Sequence, residues 1–434
     1  MARLFGTDGV RGLANGDVLT PELTVALARS AARVLNGSTV AIGRDTRPSG
    51  AMLQAAAAAG FTSAGADVLL LGVVPTPTVA HAVASGAADI GLVISASHNP
   101  MPDNGLKLFA SGGHKLTDEQ ENAIEAGMAD GSGLTGAAVG AVHEAPADLV
   151  EDYLGSLADS AGSLAGLKVV VDGAEGAAWW LAPELYRRCG AEVVTLHCDG
   201  DGRRINEGSG ATHPESLAGR VVAEGADLGI AHDGDADRCI VVDASGNVLN
   251  GDQVLGLLAL ARKDNGLPGS DVLVATVMSN LGLHQAMGAA GISVLQTAVG
   301  DRYVLEAMLA GGHKLGGEQS GHVVMLDHAT TGDGLLTALQ VMDRVVRSGR
   351  PVAELAGAVQ LLPQVLINVE ADRSRATAPD VAAAVAEEEL ALEGTGRVLL
   401  RPSGTESLVR VMVEAPTQDQ ADTVARRLAA LVGA

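Results

Sequence analysis

The stretch "GLKVVVDGAEGAAWWLAPELYRRCGAEVVTL", residues 166–196, decides the fold class. A β-branched run ends in a glycine loop, an Ala/Leu-rich helical run follows, and a second β-branched run closes the segment. The same grammar occurs on both sides of it. "TVAIGRD" (39–45) reads as a strand ending in a loop, and "SGAMLQAAAAAGFTSAG" (49–65) as a helix. "DVLLLGVVPTPT" (67–78) reads as a strand and turn, and "DIGLVISASHNP" (89–100) as a strand ending in a polar loop. The pattern restarts at "DVLVATVMSNLGLHQAMGAAGISVLQTAVGDRYVLEAML" (271–309). Alternating strands and helices predict α/β layers with mostly parallel neighbours.

Three units of one grammar predict three similar α/β domains with mixed sheets. After "LLPQVLINVEADR" (361–373) the pattern changes to "RVLLRPSGTESLVRVMVEA" and a final helical run. That piece predicts a smaller C-terminal α+β domain. "TGAAVGAVHEAPADLVEDYL" (135–154) reads as the first hinge and "VDASGNVLNGDQVLGLLALA" (242–261) as the second join. The expected domains are 1–148, 149–250, 251–366 and 367–434.

The chain has 434 residues, 47% of them hydrophobic, enough for several packed cores. Its 52 acidic and 29 basic residues give a formal charge of −23. That balance argues against nucleic acid or an anionic membrane as a partner. An anionic ligand would bind against the global field and needs local basic pockets. Cys189, Cys198 and Cys239 form no C-x-x-C pair and are expected to be reduced. "MARLFGTDGVRG" lacks the layout of a signal peptide, and no uncharged apolar run reaches the roughly 18 residues of a membrane span. The expectation is a soluble, cytoplasmic protein.

Five segments carry chemistry. In "AHDGDADRCIVVD" (231–243), Asp233, Asp235 and Asp237 alternate and Arg238 follows. An EF-hand loop counted from Asp233 would need Gly sixth and Glu twelfth; the chain has Arg238 and Ala244. Hard oxygen donors on one tight loop between apolar runs suit Mg²⁺. A solvated Asp/Gly turn is the plainer alternative. In "VISASHNPMPDNGLKL" (93–108), an apolar strand ends in serines, His98 and Asn99. Strand ends in α/β sheets are where chemistry sits. A turn cluster is the alternative. No G-x-S-x-G elbow surrounds Ser97, and neighbours on an extended strand point apart, so a Ser97–His98 hydrolase pair is disfavoured.

"GGEQSGH" (316–322) supplies Glu318, Ser320 and His322, a kit for sugar hydroxyls that is also the composition of an exposed loop. "RPSGTE" (401–406) supplies Arg401, Ser403, Gly404 and Thr405, a sensible phosphate cradle without the P-loop pattern. Arg410 follows on "LVRVMV", opposite the face of Val409, Val411 and Val413. "FGTDGVRG" (5–12) places Arg11 in a Gly-rich turn, where a plain loop is the alternative.

Together these segments resemble the α-D-phosphohexomutase superfamily over essentially the whole chain. Its S-H-N-P serine loop, D-G-D-x-D-R metal loop, G-E-x-S-G-H sugar loop and R-x-S-G-T-E phosphate loop occur here in family order, at Ser97, Asp233, Glu318 and Arg401. "FGTDGVRG", "GGEQSGH" and "INEGSGATHPE" (205–215) resemble the bacterial branch acting on glucosamine phosphates, with Ser209 where Cys is expected.

The resemblance implies three α/β domains plus a smaller fourth. It implies an isomerase that passes a phosphate from Ser97 to glucosamine 6-phosphate. Glucosamine 1,6-bisphosphate, also an activator, turns over in the site, and glucosamine 1-phosphate leaves toward UDP-N-acetylglucosamine and cell-wall synthesis. One Mg²⁺ per site would be held by Asp233, Asp235, Asp237 and the Ser97 phosphate. Lys107 would be the general acid/base, with His98 and His322 as alternatives. Arg11 and Arg238 would bind substrate, Glu318 and Ser320 would grip ring hydroxyls, and Arg401, Ser403, Gly404, Thr405 and Arg410 would hold the second phosphate. Family members often form homodimers. The rival readings are a phosphomannomutase/phosphoglucomutase, and a non-catalytic metal- or sugar-phosphate-binding module.

Overall fold

A computed structural model describes residues 3–6, 8–402 and 408–433. They form two compact units. The first comprises the chain up to Val277 together with Val294–Gly357; the second comprises Met278–Ser293 and the chain from Ala358.

The first sheet contains β1 (Val10–Leu13), β2 (Thr39–Arg44), β3 (Asp67–Val73), β4 (Ile90–Ile94), β5 (Asp103–Ala110), β6 (His114–Lys115) and β7 (Val142–Glu144). Its order is β1-β5-β4-β2-β3-β7, with β6 paired to β5. The second contains β8 (Lys168–Asp172), β9 (Glu192–Leu196), β10 (Leu228–Ala231), β11 (Ile240–Asp243) and β12 (Val248–Leu249), in the order β12-β11-β10-β8-β9. The third contains β13 (Val272–Thr276), β14 (Ser293–Thr297), β15 (Leu315–Gly317) and β16 (Val323–Met325), in the order β14-β13-β15-β16.

One plan underlies all three. β4, β10 and β15 each run parallel to the first long strand of their sheet, β2, β8 or β13. Each then turns back into an antiparallel partner, β5, β11 or β16. Every residue of β4, β10 and β15 is buried, as expected of strands covered on both faces. The three similar α/β layers read from the sequence are present, and their sheets are mixed.

Local chemistry fixes the helices around them. Thr20 caps the helix Pro21–Leu35, and Asn250 with Gln253 forms a capping box on Gly251–Asp264. The helix Gly50–Ser63 packs closely on Pro21–Leu35; a Cβ at Gly60 would lie 2.5 Å from the Val25 carbonyl oxygen, so only glycine permits that approach.

One local expectation changes. "PTPT" is not only a turn: Thr76–Ala84 is a helix opened by Pro75 and Pro77, because proline fits the first helical turn. The segment 135–154, read as a hinge, carries regular structure: β7 extends the first sheet beside β3, and Asp148–Asp159 is a helix.

The second unit is the smaller α+β piece. β17 (Gln364–Glu370), β18 (Arg397–Pro402) and β19 (Leu408–Glu414) form an antiparallel sheet in the order β17-β19-β18. Val409, Val411 and Val413 are buried with Val424, Ala425 and Leu428 of the last helix, Gln418–Val432. Arg397 pairs with the buried Glu414 at 2.8 Å, and Glu414 also accepts from the Leu281 amide.

The three cysteines are free thiols. Among the described residues, no helix is long and apolar enough to cross a membrane.

Candidate active site

Three of the sequence motifs follow equivalent strands. Ser97 lies just beyond β4, Asp233–Arg238 just beyond β10, and Glu318–His322 just beyond β15. Each loop is the turn between the last parallel strand and its antiparallel partner. The C-terminal ends of such strands are where α/β folds place ligands.

The loops meet. The Ser97 hydroxyl donates to Asp233 Oδ2 at 2.5 Å, and a Cβ at Gly234 would lie 2.5 Å from the Ser97 carbonyl oxygen. Arg238 and His322 form an isolated antiparallel bridge, and the Cys239 amide donates to the Gly321 carbonyl at 3.0 Å. Thr76, at the start of its helix, donates its amide and hydroxyl to the Asp235 carbonyl and carboxylate at 2.9 and 2.6 Å.

Asp233, Asp235 and Asp237 each present a ligand oxygen, all within 4.8 Å of one another, and all three residues are buried. Burial, then the neighbouring Asp237 and Asp235, push the Asp233 carboxyl well above its ordinary range. Asp235 feels the same burial, but Lys107 and the Thr76 hydroxyl overcome it and hold its carboxyl low. Asp235 Oδ1 and Asp237 Oδ1 are buried without a hydrogen-bond partner. Three crowded carboxylates with orphaned oxygens fit a hard divalent cation.

The cations are equally placed. Lys107 on β5 lies 3.0 Å from Asp8, 3.3 Å from Asp235 and 3.2 Å from Asp237. Burial works against its charge, yet the three carboxylates raise it well above an ordinary lysine. It stands as an ammonium among these carboxylates. Arg238 Nε stands 4.0 Å from Asp233 and 3.9 Å from Asp237, buried and without a hydrogen-bond partner. Arg11 pairs with Asp8, and its Nε is also orphaned. Arg11 sits on strand β1, antiparallel to β5, and not in a turn: the pairing with Gly105 gives it an extended backbone.

His98 does not point away from Ser97. Its Nδ1 lies 3.3 Å from the Ser97 hydroxyl, because Ser97 adopts φ 52° and breaks the strand alternation. Burial, reinforced by Arg238 and Arg11, lowers His98 to about 4, so it is neutral at pH 7. His322 is buried with both ring nitrogens lacking hydrogen-bond partners; its Nε2 is 3.4 Å from Asp301 without hydrogen-bond geometry. Gly332 makes room for that ring, since a Cβ there would lie 2.2 Å from Nε2. Glu318 accepts from the Gly300 amide at 3.0 Å, and Ser320 Oγ is buried without a partner.

Sequence reading did not single out Asp8, Lys115 or Asp301. Lys115 pairs with both Asp8, at 2.9 Å, and Asp301. Asp8 sits inside the "FGTDGVRG" motif, so its signal was available; Lys115 and Asp301 carried none.

In the second unit, Arg401 and Arg410 are cross-strand partners on β18 and β19. Burial, then repulsion from Arg410, lowers the Arg401 pKa. Two like charges held directly opposite are unfavourable unless an anion joins them. Ser403, Gly404 and Thr405 lie outside the described residues.

Four family models match in succession. Phosphoglucomutase/phosphomannomutase alpha/beta/alpha domain I matches residues 2–133, domain II 151–246, domain III 250–361 and the C-terminal domain 366–431. The phosphoglucosamine mutase of Saccharopolyspora erythraea is 58% identical, covering 100% of both chains. That of a Parafrankia species is 56% identical over 100% of this chain and 99% of its own. The crystal structure of a phosphoglucomutase/phosphomannomutase family protein from Burkholderia thailandensis superposes with a TM-score of 0.82 at 26% identity, covering 99% of this chain and 97% of that one. With four domain matches in order and full-length relatives, the chain belongs to the phosphoglucomutase/phosphomannomutase family of α-D-phosphohexomutases.

Proposed function

We propose that this isomerase interconverts glucosamine 6-phosphate and glucosamine 1-phosphate, with a phosphate carried on Ser97 and glucosamine 1,6-bisphosphate as intermediate. The observation that carries the reading is the 2.5 Å contact between Ser97 and the buried acidic triad. The full-length relatives, which are phosphoglucosamine mutases, favour the amino sugar.

Mg²⁺ held by Asp233, Asp235 and Asp237 would neutralise charge on the phosphate and orient it for in-line transfer. Arg238 and Lys107 add fixed positive charge beside the same oxygens. The phosphate leaves Ser97 Oγ as a bond forms to the C1 hydroxyl oxygen of glucosamine 6-phosphate. The net proton movement is from that hydroxyl to Ser97 Oγ. Lys107 is the candidate general acid/base for moving that proton, with His98 and His322 as alternatives. The reverse transfer moves the C6 phosphate to Ser97 and releases glucosamine 1-phosphate.

Glu318 and Ser320 hold ring hydroxyls. Arg401, Ser403, Gly404, Thr405 and Arg410 bind the phosphate that is not reacting. Coupled assays with glucosamine, glucose and mannose 6-phosphates test the reading. The expected result is a kcat/KM highest for glucosamine 6-phosphate. A preference for glucose or mannose would replace it with the phosphoglucomutase/phosphomannomutase reading, and binding without turnover would reduce the protein to a binding module.

A further inference from the structure

Arg47 is a fully buried arginine, at 0% exposure, and all five of its side-chain N–H groups are used. Nε donates to Asp45 Oδ2 at 2.9 Å. One terminal nitrogen donates to the Pro100 and Asp103 carbonyls at 2.5 and 3.0 Å; the other donates to those of Ser97 and Asn99 at 3.0 and 2.7 Å. Four carbonyls of the serine loop therefore converge on one guanidinium.

Asp45 completes the arrangement. Its Oδ1 accepts from the Arg47 amide at 2.9 Å, and its Oδ2 from the Ser95 hydroxyl at 2.5 Å. Ser95 Oγ in turn accepts from the Ser97 amide at 2.9 Å. From the second α/β layer, Asn206 donates to the Ser97 and Asn99 carbonyls at 2.8 and 3.0 Å. The N–H of Ser97 is thus tied to Asp45 through Ser95, and its C=O to Arg47 and Asn206. Between these ties Ser97 holds φ 52°, a conformation that non-glycine residues rarely adopt. In an extended continuation of β4 its side chain would not face Asp233.

We propose that Arg47 is the positioning residue of the phosphate-carrying serine. With Asp45 and Asn206 it fixes the left-handed Ser97 backbone that aims Oγ at Asp233, and so governs the rate of phosphate transfer and not the affinity for sugar. The inference rests on the phosphoserine reading above. Lysine cannot substitute, because its compact ammonium has three donors for five acceptors and lacks the planar fork.

The test uses the full-length variants Arg47→Lys and Asn206→Ala. Amide hydrogen exchange is followed across residues 95–104, and kcat and KM are measured on whichever sugar phosphate the wild type isomerises. Misplacing a reacting atom by about 1 Å costs up to roughly 100-fold. The expected result is faster exchange at Ser97 and Asn99, with kcat lowered about 10- to 100-fold and KM within about two-fold of wild type. A merely structural arginine would lower Tm and leave kcat per folded molecule unchanged; that result, or unchanged exchange, overturns the proposal. If Arg47→Lys does not fold, Asn206→Ala decides alone, since it keeps the Asp45–Arg47 pair. A wild type that isomerises none of the three sugar phosphates sinks the phosphoserine reading and the rate claim with it, while the exchange data still decide the clamp.

Discussion

The Ser97 hydroxyl donates to Asp233 Oδ2 at 2.5 Å, joining two loops 136 residues apart. A hydroxyl placed against a buried cluster of three carboxylates fits the proposed carrier of a transferring group. Ser97→Ala is expected to fold normally and to lose turnover by on the order of 10⁴-fold or more. Intact mass should show one added phosphate on the wild type and none on the variant. Full activity of the variant with added glucosamine 1,6-bisphosphate would remove the carrier role.

The acidic triad predicts dependence on a divalent cation. Chelation should abolish turnover and Mg²⁺ should restore it. Asp237→Asn replaces a carboxylate bearing an orphaned buried oxygen, and is expected to weaken Mg²⁺ affinity on the order of tenfold or more. Titration calorimetry reads this independently of activity. Equal affinity in variant and wild type would exclude Asp237 as a ligand.

The Arg401–Arg410 pair predicts a separate phosphate site in the second unit. Losing one charge-assisted contact to phosphate costs roughly 1.5–3 kcal/mol. Arg401→Ala should therefore raise KM for glucosamine 6-phosphate roughly 10- to 100-fold, leaving Mg²⁺ affinity as it was. An unchanged KM would dissociate this strand pair from substrate.

Asp333 predicts a pH-dependent stability. Burial pushes its carboxyl up to about 6, against the Leu336 amide and the Tyr153 hydroxyl, which favour the anion. The folded pKa exceeds the unfolded value of about 3.9, so the native state gains protons first as pH falls. Its contribution is fully present below about pH 4 and is lost as pH rises through about 6, on the order of 2–3 kcal/mol. Asp333→Asn can keep both contacts without ionising. The variant should gain Tm relative to wild type at pH 7.5 and much less at pH 4.5. An equal difference at both pH values would contradict the assignment.

The four motifs were legible because their chemistry is local: alternating carboxylates, a serine at a strand end, a Gly-flexed polar loop and an arginine beside small donors. The α/β layers were legible from the alternation of β-branched and Ala/Leu-rich runs. What stayed hidden is delivery across distance. Arg47 in "GRDTR" has the sequence of a surface arginine; its burial depends on carbonyls of residues 97–103 curling around it. Lys115 and Asp301 are 186 residues apart, and nothing near either announces the pair. His98 was expected to diverge from Ser97, because a strand was assumed to continue where the backbone turns left-handed.

The three reactive loops occupy one topological position in three separately cored layers, and this bears on how the molecule is made. On the ribosome Ser97 emerges long before Asp233. A nascent or truncated chain ending ahead of residue 233 carries the serine without any of its three carboxylates. On the proposed function, competence to pass a phosphate therefore waits for the second layer, which supplies Asp233, Asp235 and Asp237.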